Sequence, residues 1–429
     1  MDKIKIGIIG KGSSSAIAFS TLIEYIQKVF QPKQEEFTNG FEFVCIHDPD
    51  VPIFPVGEGL SPKLRRTLEL VLDYKYDVNN TLFDETPRRG TKHFWTKSIG
   101  KDFDISYRPN IGLHVNAAKF SNSIFEKLKQ KYTNFYEIHD VVSEISQTED
   151  KVILICEKNT YDNFDFIFDC RGFPEEETLK NGEYDFPKFE FVNTVLLYQD
   201  FKVYDEPYTT NYVHENGWMF GIPLTHRKAF GYLYNKSITN YDDALINFKQ
   251  TLKHYVDLDA IDEDRIKKIS WNQYYKKKIM DGRVLSIGAR LYFFDPHHGM
   301  PLHYISMCCR FFIGGLLGFT NGHFNLKNYN LVMNNFHKIS INKLKDLIAI
   351  NYVNSGIDSE FWKTATQNGK SIIKESNVFF NWYADRNFHL CENGNNLEGF
   401  NIPYSPHEAD LMNQYLTGYN IDLDGVYYD

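Results

Sequence analysis

The sequence predicts an α/β protein, with a Rossmann-like nucleotide-binding fold, an inserted and mainly antiparallel sheet, and a helical C-terminal part. Three observations predict it. The chain opens on a buried-strand pattern, Ile4 to Ile9, followed by a glycine-containing turn and a helical pattern from Ala16 to Phe30. Between Phe189 and Tyr234 the periodicity changes to short alternating runs separated by turn residues, which is the pattern of an antiparallel sheet. From about Gly322 the spacing becomes helical, with apolar residues three and four apart.

The elements follow in order. Phe41 to Ile46 is a second buried strand, ending at His47-Asp48, and it completes a βαβ unit whose crossover is right-handed. Lys63 to Leu72 and Ala117 to Lys131 read as amphipathic helices, and Val152 to Cys156 and Phe164 to Asp169 as strands. Val192–Tyr198, Trp218–Phe220 and Ala229–Tyr234 are the runs of the inserted sheet, placed at about residues 185–280. Val284 to Ile287 returns as a buried strand and closes the nucleotide-binding fold. Residues 1–325 thus form one domain. Residues 326–429 form a helical region, with helices at Ile339–Tyr352, Ser359–Ala365 and Ser371–Trp382.

Composition narrows the function. The 429 residues allow two to four domains, or one large domain with an appendage. Acidic residues outnumber basic ones 56 to 47, a net charge of -9, which argues against a general nucleic-acid binder. The six cysteines show no metal-type spacing, so no metal site is expected. No signal-peptide core opens the chain, and the apolar stretch Ile305–Phe319 is short and broken by Arg310. These features point to a soluble, cytoplasmic protein of a reducing compartment, not bound to membrane. The 35 Phe and 28 Tyr are mostly core, with some available to line an aromatic pocket.

The strongest local chemistry is Gly10-Lys11-Gly12-Ser13-Ser14-Ser15. Gly10 permits the tight turn, and Gly12 lets backbone approach a pyrophosphate at the helix N-terminus. Ser15 stands where a small residue lets helix and strand pack closely. An acid at the end of the second strand should bind ribose hydroxyls; Asp48 is available, with His47 as the alternative.

Further along, six separated segments, in order, resemble the flavin-dependent tryptophan halogenase family. Pro49-Asp50-Val51-Pro52 with Val56-Gly57-Glu58-Gly59 resembles the family's strap over the flavin. Leu113-His114-Val115-Asn116-Ala117 resembles its YHFDA segment, with Asn116 in place of aspartate. Phe168-Asp169-Cys170-Arg171-Gly172-Phe173 resembles the DCSGF turn. Gly217-Trp218-Met219-Phe220-Gly221-Ile222-Pro223-Leu224 resembles WxWxIP, and Gly231-Tyr232-Leu233-Tyr234 resembles GYVYS. Ser286-Ile287-Gly288-Ala289 and Phe294-Asp295-Pro296 resemble the second flavin-contacting strand and its loop.

The resemblance implies an FAD-binding fold of the glutathione-reductase-like (GR2) type. FAD would contact Gly10, Gly12, Ser13, Ser14, Ser15, Asp48, Val56, Gly57, Glu58, Asp169, Gly172, Gly288 and Pro296. It also implies the family's reaction: FADH2 from a separate flavin reductase, oxygen and a halide give hypohalous acid. A lysine then presents that acid to an aromatic small molecule, and a glutamate assists. Lys92 is the best-placed lysine and Lys97 the alternative; His298 stands in the glutamate's place. Histidine can act as a base near neutral pH, and its presence argues against free tryptophan as substrate. The halide cradle falls on Gly299, Met300 and Pro301. Proline has no N–H to offer there, so bromination or iodination is favoured over chlorination. His297, His298 and His303 do not have the spacing of a metal motif. A flavin monooxygenase on the same scaffold is the alternative function, and a flavin-binding protein without catalysis a third. Family members are often homodimers, so a homo-oligomer is an open expectation.

Overall fold

The computed structural model describes residues 3–54, 56–95, 102–107, 110–256, 261–376, 414–419 and 421. Along the chain the elements that build the site are β1 (Ile4–Ile9), α1 (Ser13–Phe30), β2 (Phe41–His47), β3 (Gly57–Leu60), α2 (Pro62–Leu72), β4 (Thr86–Arg88), β5 (Gly90–Phe94), β6 (Phe103–Ser106), β7 (Gly112–Asn116), α3 (Ala117–Lys131), β8 (Phe135–His139) and β9 (Phe166–Asp169). The second part supplies β10 (Thr194–Asp200), β11 (Thr209–His214), β12 (Gly217–Leu224), β13 (Arg227–Tyr234), α4 (Tyr241–Leu252), β14 (Lys267–Ser270), β15 (Val284–Ser286), α5 (Met300–Thr320), α6 (Leu326–Ile350) and α7 (Glu360–Glu375).

The nucleotide-binding sheet runs β15-β9-β1-β2-β8, all parallel, with Met280–Asp281 as an antiparallel edge. Its central strands are apolar on both faces, as a covered parallel sheet requires. Ile6, Ile8, Phe43, Phe166 and Phe168 face the helices α1 and α5, and none is more than 1% exposed. Ile9, Val44, Ile46 and Ile167 face a three-stranded meander, Val142–Gln147, Val152–Cys156 and Thr160–Phe164. Helix α5 has the length and apolarity of a membrane span, yet it lies along α1, where Cys308, Cys309 and Phe312 are fully buried. In this fold it is a core helix.

The inserted sheet has seven strands, ordered β14-β10-β13-β12-β11-β5-β6, and is antiparallel except for the β11–β5 pair. It corrects the expected boundary at 185–280, because β5 and β6 come from residues 90–106. Alternation divides its two faces. Trp218 and Leu233 face the main core, while Met219, Tyr232 and Tyr234 pack with Phe248 of α4. A small sheet, β3-β7-β4, joins the two large ones. The C-terminal helices are longer than the sequence suggests: α6 begins at Leu326, and α7 runs unbroken past Gly369.

Candidate active site

The first turn is built as its glycines require. Gly10 has φ +103°, and a Cβ there would lie 2.7 Å from the Cys170 carbonyl oxygen. Its N–H donates to Ile46 O at 2.8 Å, so β1, β2 and the turn after β9 converge on one residue. Gly12 caps α1, whose first turn has no side-chain cap and no acidic residue. A Cβ at Gly12 would meet nothing within 4 Å. Open space before an uncapped helix N-terminus is what an anionic diphosphate needs. Ser15 is fully buried, as a small residue between helix and strand should be.

Other predicted segments close on this turn. Gly288, at φ +66°, faces Ser14, and a Cβ on it would fall 2.2 Å from the Ser14 hydroxyl. The Ser13 hydroxyl donates to Glu58 Oε2 at 2.6 Å, tying the strap to α1. Burial raises the Glu58 carboxyl to about 7, only partly offset by that hydrogen bond. Gly172 is also at positive φ, +85°, with open space at its Cβ position. Asp169, in contrast, is committed to protein partners. Burial works against its charge, but Arg171 at 2.9 Å and Arg290 at 3.3 Å hold its pKa below the ordinary value. It positions the loop after β9.

The two residues offered for the ribose side differ in their surroundings. Asp48 accepts the Asp50 N–H at 2.9 Å and starts the strap as a turn residue. The acid beside the glycine turn is Glu137 of β8. It receives Lys11 Nζ at 2.5 Å, Lys129 Nζ at 2.7 Å and His47 Nε2 at 2.9 Å. The His47 bond, with the two lysines, holds its pKa well below the usual carboxylate range despite burial. His47, Glu137 and His139 also lie close enough together to suggest cation ligands. Two ammonium groups already share that carboxylate, which disfavours a divalent ion there.

The strap reaches the catalytic side. β3 pairs antiparallel with β7, Gly57 opposite Asn116, and a Cβ on Gly57 would lie 2.8 Å from Ile222 Cγ2. Asn116 caps α3 by accepting the Ala118 and Lys119 N–H groups, and donates to Asp84 Oδ2 at 3.1 Å. Ile222 therefore covers the strap from above, and Gly299 meets it from the loop side. Gly299, at φ +61°, puts its Cβ position 3.4 Å from Gly59 O. Met300 and Pro301 then open α5.

Behind that loop is a buried polar group. Asp295 accepts the His297 N–H at 3.0 Å and the Tyr352 hydroxyl, and Trp218 Nε1 donates to the same hydroxyl at 2.9 Å. Burial raises Asp295 to about 7 against these bonds. The His297 ring stacks on Trp218 with centroids 3.6 Å apart. The side chain of His298 and the whole of Lys97 lie outside the described residues.

Lys92 departs from expectation. It shares a strand face with Phe94, which stacks on Tyr212 in the cluster packed on α4. Its ammonium lies over the Tyr208 ring, 4.6 Å from the centroid. Trp218 and the His297–Gly299 turn (Pro296 at its N-cap) belong to the opposite face. Spacing fixed the position along the strand but not its side. The basic residue beside the strap is Arg88, which sequence reading missed. It is 3% exposed, and a Cβ on Gly59 would touch its guanidinium at 3.0 Å. Its available signal was a charged residue in a Thr/Pro-rich strand between apolar segments.

Comparison with known proteins decides the family. The sequence profile of the tryptophan halogenase family matches residues 104–388, well over half of the chain. The chain belongs to the tryptophan halogenase family. It is 25% identical over 147 residues to tryptophan 7-halogenase KtzQ of Kutzneria sp. (strain 744), an alignment spanning 33% of this chain and 27% of that relative. Among solved structures it resembles the tryptophan halogenase of Shewanella frigidimarina, with TM-score 0.74, 19% identity, 98% of this chain and 89% of the other. It also resembles BrvH, a flavin-dependent halogenase from Brevundimonas sp. BAL3, with TM-score 0.72, 15% identity, 100% of this chain and 91% of the other. These likenesses carry the Rossmann-like fold, and the profile carries the family.

Proposed function

We propose that the chain is a flavin-dependent halogenase, an FAD-dependent oxidoreductase that brominates or iodinates an aromatic small molecule other than free tryptophan. FADH2, oxygen, halide, a proton and an aromatic C–H give FAD, a carbon–halogen bond and two waters. The observation that carries this reading is the strap. One short strand joins the nucleotide turn, through Glu58 and Ser13, to the Gly299 loop, through Gly59.

The residues suit the cofactor. The Gly12 opening and uncapped α1 would receive the diphosphate, with Ser13, Ser14 and Gly288 around it. His47, with Lys11 and Glu137 around it, or Asp48 would stand on the ribose side. Gly172 would lie toward the adenosine and phosphates, and Val56–Glu58 and Pro296 would border the ring system. Reduced by a separate reductase and bound here, FAD would supply the electrons that activate oxygen, and the activated oxygen would in turn oxidise the halide. The protein's own part is to cover the strap with Ile222, to back the loop with Trp218 stacked on His297, and to hold the halide near Gly299–Met300. Asp295, raised to about 7 by burial, can hold a proton behind the loop near neutral pH. His298 would act as base toward the substrate.

The deciding assay incubates the protein with a flavin reductase, FAD, NADH, bromide and panels of indoles and phenols, read by mass spectrometry. Products with the bromine isotope doublet are expected. Products gaining only oxygen would establish the monooxygenase reading, which the missing Pro301 N–H favours. Parallel turnovers with three halides should rank bromide and iodide above chloride; chloride leading would remove the role given to Pro301.

A further inference from the structure

Arg88 is a buried cation with no carboxylate partner among the described residues. Its Nε donates to Thr209 Oγ1 at 3.0 Å and one Nη2 hydrogen to Thr91 Oγ1 at 3.2 Å. Its Cζ lies 5.1 Å from the Tyr107 ring centroid. Both threonine contacts are neutral, and the next partner is neutral too. Thr86 gives its hydroxyl hydrogen to Pro223 O at 2.8 Å, so it can only accept from His114 Nδ1, 3.2 Å away. His114 Nε2 is then an acceptor, and receives the Thr209 hydroxyl at 2.9 Å. Burial first, then the Arg88 charge, keeps that imidazole uncharged.

The chain of bonds therefore orients the guanidinium without neutralising it. A buried charge is costly unless it is paired, and among the described residues Nη1 and the second Nη2 hydrogen have no such pairing. Gly59, by lacking a side chain, leaves the space the guanidinium occupies against the strap. We propose that Arg88, oriented by Thr91 and Thr209, is a receptor for one monovalent anion beside the strap. The planar fork suits a carboxylate on the aromatic substrate. A halide is the second source of the same charge, and Gly299, at the head of the loop assigned to the halide, lies near the same Gly59: a Cβ on it would be 3.4 Å from Gly59 O. Naming these two sources rests on the halogenase reading; anion binding itself does not.

The test uses the full chain without flavin in halide-free buffer. Bromide NMR line-broadening reports halide binding, and calorimetry with sodium benzoate reports carboxylate binding. Saturable binding of at least one is expected, weakened roughly tenfold or more in Arg88→Met and partly kept in Arg88→Lys. Bromide alone marks a halide site, benzoate alone a substrate-carboxylate site, and mutual displacement a shared one. Without anion, Arg88→Met should melt at or above the wild type, since it removes an unpaired charge. Arg88→Met binding both anions like wild type, or a wild type that binds neither, would overturn the proposal. Absent bromination with intact anion binding would count against the halogenase reading alone.

Discussion

Two buried carboxyls, Glu58 and Asp295, set the pH behaviour at the level of single residues. Both are raised to about 7 by burial, above their values in an unfolded chain. A raised carboxyl favours the folded state while protonated. That contribution is complete below about pH 4 and is lost as pH rises toward and through about 7. Glu137 works in the other direction: its depressed value stabilises the fold above the unfolded carboxylate range and ceases to do so in acid. The buried, uncharged His114, His214 and His337 work the opposite way up to about pH 6.5, so the prediction is a difference. Between pH 5 and pH 8 the melting temperature of wild type should fall relative to that of Asp295→Asn, which keeps an acceptor toward His297 and has no titrating proton. Thermal melts across that range check it; parallel curves would show that Asp295 does not hold its proton. None of this could be read in the sequence, where Asp295 is simply the acid before a proline. Its raised pKa comes from burial, against the hydrogen bonds around Tyr352 and Trp218, and both burial and bonds exist only in the fold. Asp48 and Glu137 teach the same point, since the acid near the glycine turn arrives on a strand some ninety residues later.

Among the elements, the strap and α3 give two further tests. Asn116 stands where the family pattern has aspartate, and its neighbour Asp84 explains the change. Asn116→Asp would keep the cap yet set two carboxylates within hydrogen-bond distance. It should destabilise by about 1–2 kcal/mol, comparable with losing a cap, and Asp84→Asn should restore it. Denaturant melts of the single and double variants decide; a neutral Asn116→Asp would refute the repulsion. Gly57→Ala should clash with Ile222 and cost about 1–3 kcal/mol, with part recovered in Gly57→Ala/Ile222→Val. Additive losses would mean the strap shifts freely under Ile222. Elements with long, strictly periodic patterns were legible from residues alone: α3 and the strand Val152–Cys156 have the predicted ends. β3 and β4 were not, because three- and four-residue strands of Gly, Glu, Thr and Pro carry no hydrophobic signal. The face of Lys92 was likewise invisible, since it depends on which side of β5 meets the core.

At the scale of the molecule, the architecture follows from one opening βαβ unit and a sheet that collects strands from both sides of it. The sequence-based division placed that sheet in one continuous insertion. Pairing of β11 with β5 instead stitches residues 90–106 into it, so the two sheets share a core and the strap lies between them. On the proposed reading FAD spans this joint, diphosphate at α1 and ring beside the Gly299 loop. A crystal structure with FAD and bromide tests it most directly. Diphosphate density against Gly12–Ser14, with the ring between the Val56–Gly59 strap and the Gly299 loop, is the predicted result. FAD bound elsewhere, or that groove filled by side chains, would contradict it.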